Sequence, residues 1–387
     1  MKNYPQRLQK LMQNYTALKN QNIHGRYLTL DHIAPELKKL PATFTIKEIG
    51  ESTLGESISV IKIGKGKLRI LTWSQMHGNE STTTKAIFDL LNAFSRQSDF
   101  PVVDNILESC EIWIIPMLNP DGARAYTRVN ANNVDLNRDA QNLQEVESRI
   151  LRSQFDEFSP HFCLNLHDQR TIFTAGALPM SATLSFLAPS MDEERKITES
   201  RKESMRVISA IAEDLGKMLP GQIGRYDDGF NLNCTGDTFQ NKEVPTILFE
   251  AGHYPNDYNR EVTRKYVFAA LISTLHTIAT GEYKSISFEK YEKIPENQKL
   301  FNDVVLRNCR VNKKKTDVSI QFKEKLDGGS IKFDIHIEGI KQEIKNFGLK
   351  ELDCKGGELT IDGEKPLSEN VLVEEIFLNG KKFNLKP

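Results

Sequence analysis

The chain has 387 residues, 39% of them hydrophobic and 27% charged, which is enough for two or three domains with real cores and too apolar for a mainly disordered polypeptide. With 51 Lys and Arg against 52 Asp and Glu the formal charge is -1, so no global field draws the chain to nucleic acid or to an anionic membrane. The N-terminus, "MKNYPQRLQKLMQNYTALKN", lacks the continuous apolar core of a signal peptide, and no later run reaches the roughly 18 to 20 apolar residues of a membrane span; the expected location is cytoplasmic.

Residues 1–40 read as helix, with a turn near "NIHGRY" and further helix in "LDHIAPELKKL". Three runs rich in β-branched residues follow, "TFTIKEIG", "SISVIKIG" and "KLRILTWSQM", divided by the turns "ESTLGE" and "KGK". Ala86, Ile87, Leu90, Leu91 and Phe94 then recur at helical spacing, and a strand feeding a helix through a short polar loop is the mark of α/β architecture. "CEIWIIPMLN" reads as a strand buried on both faces, "ESRILRSQFDEF" as helix and "HFCLNLH" as another buried strand. A long helix is expected from about residue 192 to 218, then a strand in "VPTILFEAGH" and a helix in "REVTRKYVFAALISTLHTIATG". Strands ending in His, Asn or Glu gather polar groups at one carboxyl edge, where open α/β sheets bind ligands.

Composition changes near "SFEKYEKIPENQ", which sets a domain boundary near residue 285. Beyond it, "DVSIQFKEK", "SIKFDIHIEG" and "VLVEEIFLNGKKFNL", punctuated by "LDGG", "CKGGE" and "IDGE", read as an all-β module that needs an opposing apolar layer, a small sandwich or barrel. The expected fold is therefore α/β over residues 1–285, a mixed and mostly parallel sheet flanked by helices, followed by a small β domain over 286–387. The five cysteines, Cys110, Cys163, Cys234, Cys309 and Cys354, form no CxxC pair and read as structural thiols in a reducing compartment.

Three clusters carry chemistry. In "MHGNES", His77 and Glu80 straddle the end of a buried strand; alone, HxxE is a weak signal, because a first-turn Glu also suits a helix dipole. A catalytic zinc needs a third protein ligand, and His167, ending "FCLNLH", is the best candidate, with His253 in "EAGH" its competitor. In "NPDGARAYTRVNANNVDLNRD", the turn-forming "NPDG" precedes Arg128 and Arg138, which with Arg124 crowd among asparagines, as suits carboxylate recognition or an oxyanion. Glu250 is the one ionisable residue in "PTILFEAG"; a buried carboxylate beside an activated water can act as general base and then acid.

Taken in order, "HGNE", "NPDG", "TRVNANNVDLNR", "NLH" and "FEAG" resemble the zinc metallocarboxypeptidase family over roughly residues 43–280. The resemblance implies one Zn²⁺ per chain on His77, Glu80 and His167, with a water as fourth ligand. It implies Asp135 as the carboxylate behind a ligand histidine, Arg128 on the scissile carbonyl and Asn137 with Arg138 on a terminal carboxylate. Glu250 would be the base toward the zinc-activated water, and Tyr226, in "RYDDGFNLNCTGD", the tyrosine that closes on substrate. The implied activity is removal of a C-terminal amino acid from a peptide or amide bearing a free carboxylate. The alternative is an N-acyl amino acid deacylase, since "HGNE", "DLNR" and the strand-end His also resemble the aspartoacylase and succinylglutamate desuccinylase group; a non-catalytic binding protein would require a broken metal or base position.

Overall fold

A computed structural model describes residues 5–361, 363–385 and 387. The first four residues of the expected N-terminal helix and one residue of the "IDGE" turn lie outside the described residues. Two compact units are formed: residues up to Gln169 with Ala182–Asn297 make the first, and Arg170–Ser181 with residues from Gln298 onward make the second.

The first unit opens with α1 (Gln6–Gln13), α2 (Tyr15–Leu18) and α3 (Leu30–Leu37), then β1 (Thr45–Glu51), β2 (Ser57–Ile63), β3 (Leu68–Trp73) and α4 (Thr82–Ser95). Next come α5 (Pro101–Ser109), β4 (Cys110–Ile115), α6 (Pro120–Ala125), α7 (Val146–Phe158) and β5 (Phe162–Asp168). After β6 (Phe173–Ala175), which belongs to the second unit, the chain forms β7 (Leu184–Leu187), α8 (Glu199–Gly216), β8 (Ile223–Arg225), α9 (Thr235–Asn241), β9 (Thr246–Ala251) and α10 (Glu261–Thr280).

Eight strands join in the order β1-β2-β4-β3-β5-β9-β7-β8. The pairs β4–β3, β3–β5, β5–β9 and β7–β8 are parallel, while β1–β2, β2–β4 and β7–β9 are antiparallel, so the sheet is mixed with a parallel centre. Alternation along each strand splits its side chains between two faces. Ile70, Ile112, Leu164, Ile247 and Phe249 face a core shared with α4, α5, α8 and α10. On the other face Leu71, Trp73, Trp113 and Cys163 pack with Phe155 and Phe158 of α7 and Phe239 of α9. Further across that second face β5 presents Asn165 and His167, β9 presents Leu248 and Glu250, and β7 presents Ser185. This polar half is where the candidate chemistry lies.

Three features differ from expectation. The helix expected from residue 192 begins at Glu199, because the Thr198 side chain accepts the Arg201 N–H and caps it there. The strands β6, β7 and β8 and the helix α9 were not among the expected elements; each is too short to impose a readable period. The compact units also divide differently from a cut at residue 285. Tyr291 and Ile294 are buried in the first unit's core, the Ala188 N–H donates to Tyr291 Oη at 3.2 Å, and Asn297 donates to Gln169 Oε1 at 3.0 Å. Conversely, the Phe301 N–H donates to Ile172 O at 3.0 Å and Thr174 Oγ1 to Gln298 O at 3.2 Å, which draws residues 170–181 into the second unit.

In the second unit, β10 (Asn297–Lys299), β11 (Phe301–Val311), β12 (Lys314–Asp327), β13 (Ser330–Lys341), β14 (Phe347–Asp353), β15 (Leu359–Ile361), β16 (Lys365–Pro366), β17 (Val371–Val373), β18 (Ile376–Leu378) and β19 (Lys381–Phe383) follow. β10 pairs with β6, and the other nine make a five-stranded sheet, β14-β11-β12-β13-β17, and a four-stranded one, β16-β15-β18-β19. The β12–β13 hairpin closes on Gly328 and Gly329, with φ of 56° and 76°, the double left-handed turn that matches strand twist.

Candidate active site

Between β3 and α4 the chain must turn sharply and leave two side chains on one point. Gln75 takes φ 49°, and Gly78 lies so close to Gly122 that a Cβ would stand 2.0 Å from its carbonyl carbon. Asn119 holds the contact from the other side: it accepts the Gly122 N–H at 2.8 Å and donates to Met76 O at 3.1 Å. The "NPDG" segment thus serves as the bracket that shapes "HGNE".

Within that bracket His77 Nδ1 lies 2.9 Å from Glu80 Oε1, His167 Nδ1 lies 2.9 Å from Glu80 Oε2, and the two Nδ1 atoms are 3.1 Å apart. All three residues are buried, and among the described residues they are the one group of His, Cys, Asp or Glu side chains that could hold a metal ion. The spacing fits zinc: tetrahedral bonds of about 2.0–2.1 Å put ligand atoms about 3.3 Å apart. Asp135 Oδ1 lies 3.1 Å from His77 Nε2, so a proton held there leaves Nδ1 with its lone pair toward the centre.

The charges around this group are ordered by burial and pairing. Burial alone would lower the His77 pKa, but the Glu80 and Asp135 carboxylates outweigh it and hold it above its ordinary value. Burial wins at His167, which is depressed despite its bond to Glu80. Burial works against the charged forms of Glu80 and Asp135, yet the facing histidines, and Arg128 at Asp135, keep both well below the usual carboxylate range. Arg128 bridges them, with Nε 3.0 Å from Asp135 Oδ2 and Nη1 3.2 Å from Glu80 Oε1.

Glu250 stands beside His167 in the parallel register of β5 and β9. Burial, then the charges of Glu80 and Asp168, push its pKa well above the ordinary carboxylate value against the pull of Arg128 and Arg260. Its Oε2 is buried and makes no hydrogen bond within the chain. Asn137 is tied in through its own N–H, which donates to Asp135 Oδ1 at 2.9 Å, while its Oδ1 accepts the Thr235 N–H at 2.9 Å. Arg138 is exposed and donates to Cys234 Sγ at 3.1 Å, against the same loop. Tyr226 stands apart in the register: it follows the last residue of β8, its N–H donates to Phe186 O at 2.9 Å, and two strand steps separate β8 from β9. His253, the competing ligand, packs its ring 4.8 Å from that of Tyr258 and lies outside the metal-capable group.

Two further residues support the site. Asp168 Oδ2 accepts from the Thr82 N–H at 3.0 Å and from its hydroxyl at 2.5 Å, and Arg260, buried with φ 59°, donates to Ala251 O at 2.7 Å and Gln169 O at 2.9 Å. Asp168 beside the ligand histidine was the visible signal; Arg260 offered none.

Residues 32–176 match the family model described as zinc carboxypeptidase. Carboxypeptidase 2 of Trichophyton rubrum is 32% identical over 120 residues, 31% of this chain and 21% of that protein. A zinc carboxypeptidase of Saccharothrix mutabilis subsp. capreolus is 27% identical over 106 residues, 26% of this chain and 24% of that protein. The chain spans about a fifth of the length of the first of these relatives. In fold it is similar to a metallo-carboxypeptidase from Burkholderia cenocepacia, with a TM-score of 0.52 at 19% identity over 65% of this chain and 69% of that one. It is likewise similar to carboxypeptidase A from Helicoverpa armigera, with a TM-score of 0.52 at 15% identity over 71% and 81%. Residues 32–176 are therefore similar to the zinc carboxypeptidase family, and the fold around them is like that of these metallo-carboxypeptidases.

Proposed function

We propose that the chain is a zinc-dependent hydrolase that removes a C-terminal amino acid from a peptide or amide carrying a free carboxylate. The observation that carries this reading is the convergence of His77 Nδ1, Glu80 and His167 Nδ1 with Glu250 on the adjoining strand. One Zn²⁺ held by His77, Glu80 and His167 supplies Lewis acidity and lowers the pKa of water to near 7. Glu250 takes a proton from the attacking water and delivers it to the leaving amine nitrogen; its buried Oε2, which bonds to nothing in the chain, can hold that proton between the two events. Arg128 meets the negative charge that develops on the scissile carbonyl oxygen, and Asp135 fixes both Arg128 and the tautomer of His77.

Asn137, with its oxygen engaged by Thr235, keeps its amide donors for the terminal carboxylate, and Arg138 adds charge on the exposed side. Tyr226 is assigned to closing over the substrate from the loop that joins β8 to α9. The test is a mass-spectrometric screen of the zinc-loaded protein against N-blocked peptides of two to five residues and simple N-acyl amino acids. Loss of one residue from the carboxyl end of the longer peptides is the expected result. Cleavage confined to the N-acyl amino acids, with longer peptides intact, would replace this reading with a deacylase.

A further inference from the structure

The three candidate ligands come from two segments that the sheet does not hold in register at the site. Pairing between β3 and β5 ends at Trp73 and Asn165, before the chain reaches His77 and Glu80 on one side or His167 on the other. Past that point β5 continues beside β9, while β3 gives way to the loop that leads into α4. Contacts other than the ladder must therefore set how Glu80 stands to His167.

The first part of that loop is held by the "NPDG" side. The N–H groups of Leu118 and Asn119 donate to Ser74 O and Gln75 O, both at 3.1 Å, and Asn119 Nδ2 donates to Met76 O at 3.1 Å. Its far end is met by Asp168, the last residue of β5. Asp168 Oδ2 accepts the Thr82 N–H at 3.0 Å and the Thr82 hydroxyl at 2.5 Å, and the Asp168 N–H donates to Glu80 Oε2 at 3.2 Å. Among the described residues, Asp168 is the one side chain of β5 outside the candidate ligands that hydrogen-bonds to this loop or to α4. Thr82 opens α4, and its N-cap Ser81 makes no side-chain cap, so the Thr82 N–H has no acceptor within the helix and takes the strand's carboxylate instead. The contact is shielded from water, with Asp168 8% and Thr82 0% exposed. It also starts from a fixed base: Asp168 pairs with Ala251, the Gln169 N–H donates to Ala251 O at 2.9 Å, and Arg260 bridges Ala251 O and Gln169 O.

We propose that Asp168 is a positioning residue for the metal centre, setting Glu80 against His167 before an ion binds; the proposal rests on the zinc reading above. It acts through the ligands. Its carboxylate fixes the first turn of α4, two residues after Glu80, and its N–H holds the same Glu80 Oε2 that lies 2.9 Å from His167 Nδ1. A site arranged in advance loses less freedom when it is filled, and groups that orient metal ligands are worth about 10–100-fold in metal affinity.

The test is competition for zinc between the protein and a chromophoric chelator, with urea unfolding of each metal-free variant measured alongside. The wild-type protein should bind one zinc, and Asp168→Ala should bind it about 10–100-fold more weakly. Asp168→Asn, which keeps an oxygen for Thr82, should restore most of that affinity, and Thr82→Val, which loses only the hydroxyl, should weaken zinc several-fold. Because the two side chains act through one contact, the losses in the double variant should not add. A purely structural role would lower the unfolding midpoint of metal-free Asp168→Ala and leave the zinc affinity of the folded protein unchanged; that result, or additive losses, overturns the proposal and leaves the zinc reading standing. Should Asp168→Ala fail to fold, Thr82→Val decides, and wild-type affinity in it is equally fatal. If the wild-type protein binds no zinc, the zinc reading itself fails and takes this proposal with it.

Discussion

Glu80 sits one residue before Ser81, the N-cap of α4, where a carboxylate ordinarily faces free helix N–H groups. Its oxygens instead go to His77, His167 and Arg128, and the Thr82 N–H is met by Asp168 from β5. That exchange frees Glu80 from capping and makes it available to an ion. Glu80→Ala removes one of the three proposed ligands, so zinc measured by plasma mass spectrometry should fall from near one per chain to a small fraction; full retention would refute the ligand assignment. Glu250→Gln leaves the three proposed ligands intact and removes the proposed proton carrier. It should keep its zinc and lose turnover by roughly three orders of magnitude or more, and a near-normal rate would exclude Glu250 as the base. His77, Glu80 and His167 were legible because each ends or follows a strand in a recognisable motif. The part played by Asp168 was not, since its bond to Thr82 spans 86 residues and leaves no local trace.

Elements that hold the site rigid draw on a second set of buried charges. Arg264 of α10 and Asp89 of α4 are fully buried against each other, and Arg264 also donates to the main-chain oxygens of Asn20 at 2.9 Å and Ile23 at 2.6 Å. One turn away, Lys85 of α4 lies 2.7 Å from Glu261, which Lys19 also reaches at 2.7 Å. The N-terminal segment is thereby fixed to α10, and through Asp89 and Lys85 to α4. Burial opposes the charge on Glu261, but Lys85 and Lys19 outweigh it and lower its pKa to about 2 from 4.5. A depressed carboxyl contributes stability that is complete above about pH 4.5 and lost as pH falls through about 2. In full the shift corresponds to about 3 kcal/mol, and solvent screening of a carboxylate a quarter exposed reduces it, so Glu261→Gln should lower the unfolding free energy by about 1–3 kcal/mol near pH 6 and by clearly less at pH 3.5. Urea titrations at both pH values check this, and a difference that does not change with pH would sink it. Long strands and helices such as β4, β5 and α10 were legible from apolar runs, whereas β7 and β8, with four and three residues, take their shape from neighbours and carry no period.

Across the whole molecule the chain passes between its two compact units three times, after Gln169, Ser181 and Asn297, so no single cut separates them. Composition located the change of character near 285 because the β-rich text begins soon after, but composition cannot register that Tyr291 and Ile294 are only 3% and 7% exposed in the first unit's core. Burying such side chains is worth about 1.5–3 kcal/mol each. A chain ended at 285 should therefore unfold at a lower urea concentration than one ended at 297, by at least about 3 kcal/mol in unfolding free energy. The chain ended at 297 still carries residues 170–181, which have then lost the bonds from Phe301 and Gln298, and limited proteolysis should cut it there first. Gln169 Nε2 donates to Ala182 O at 2.6 Å, so the flanks of the insert already meet, and two glycines in place of 170–181 should give a protease-resistant unit with a single cooperative transition. Equal urea midpoints for the chains ended at 285 and 297 would rule out the assignment of residues 286–297 to the first unit.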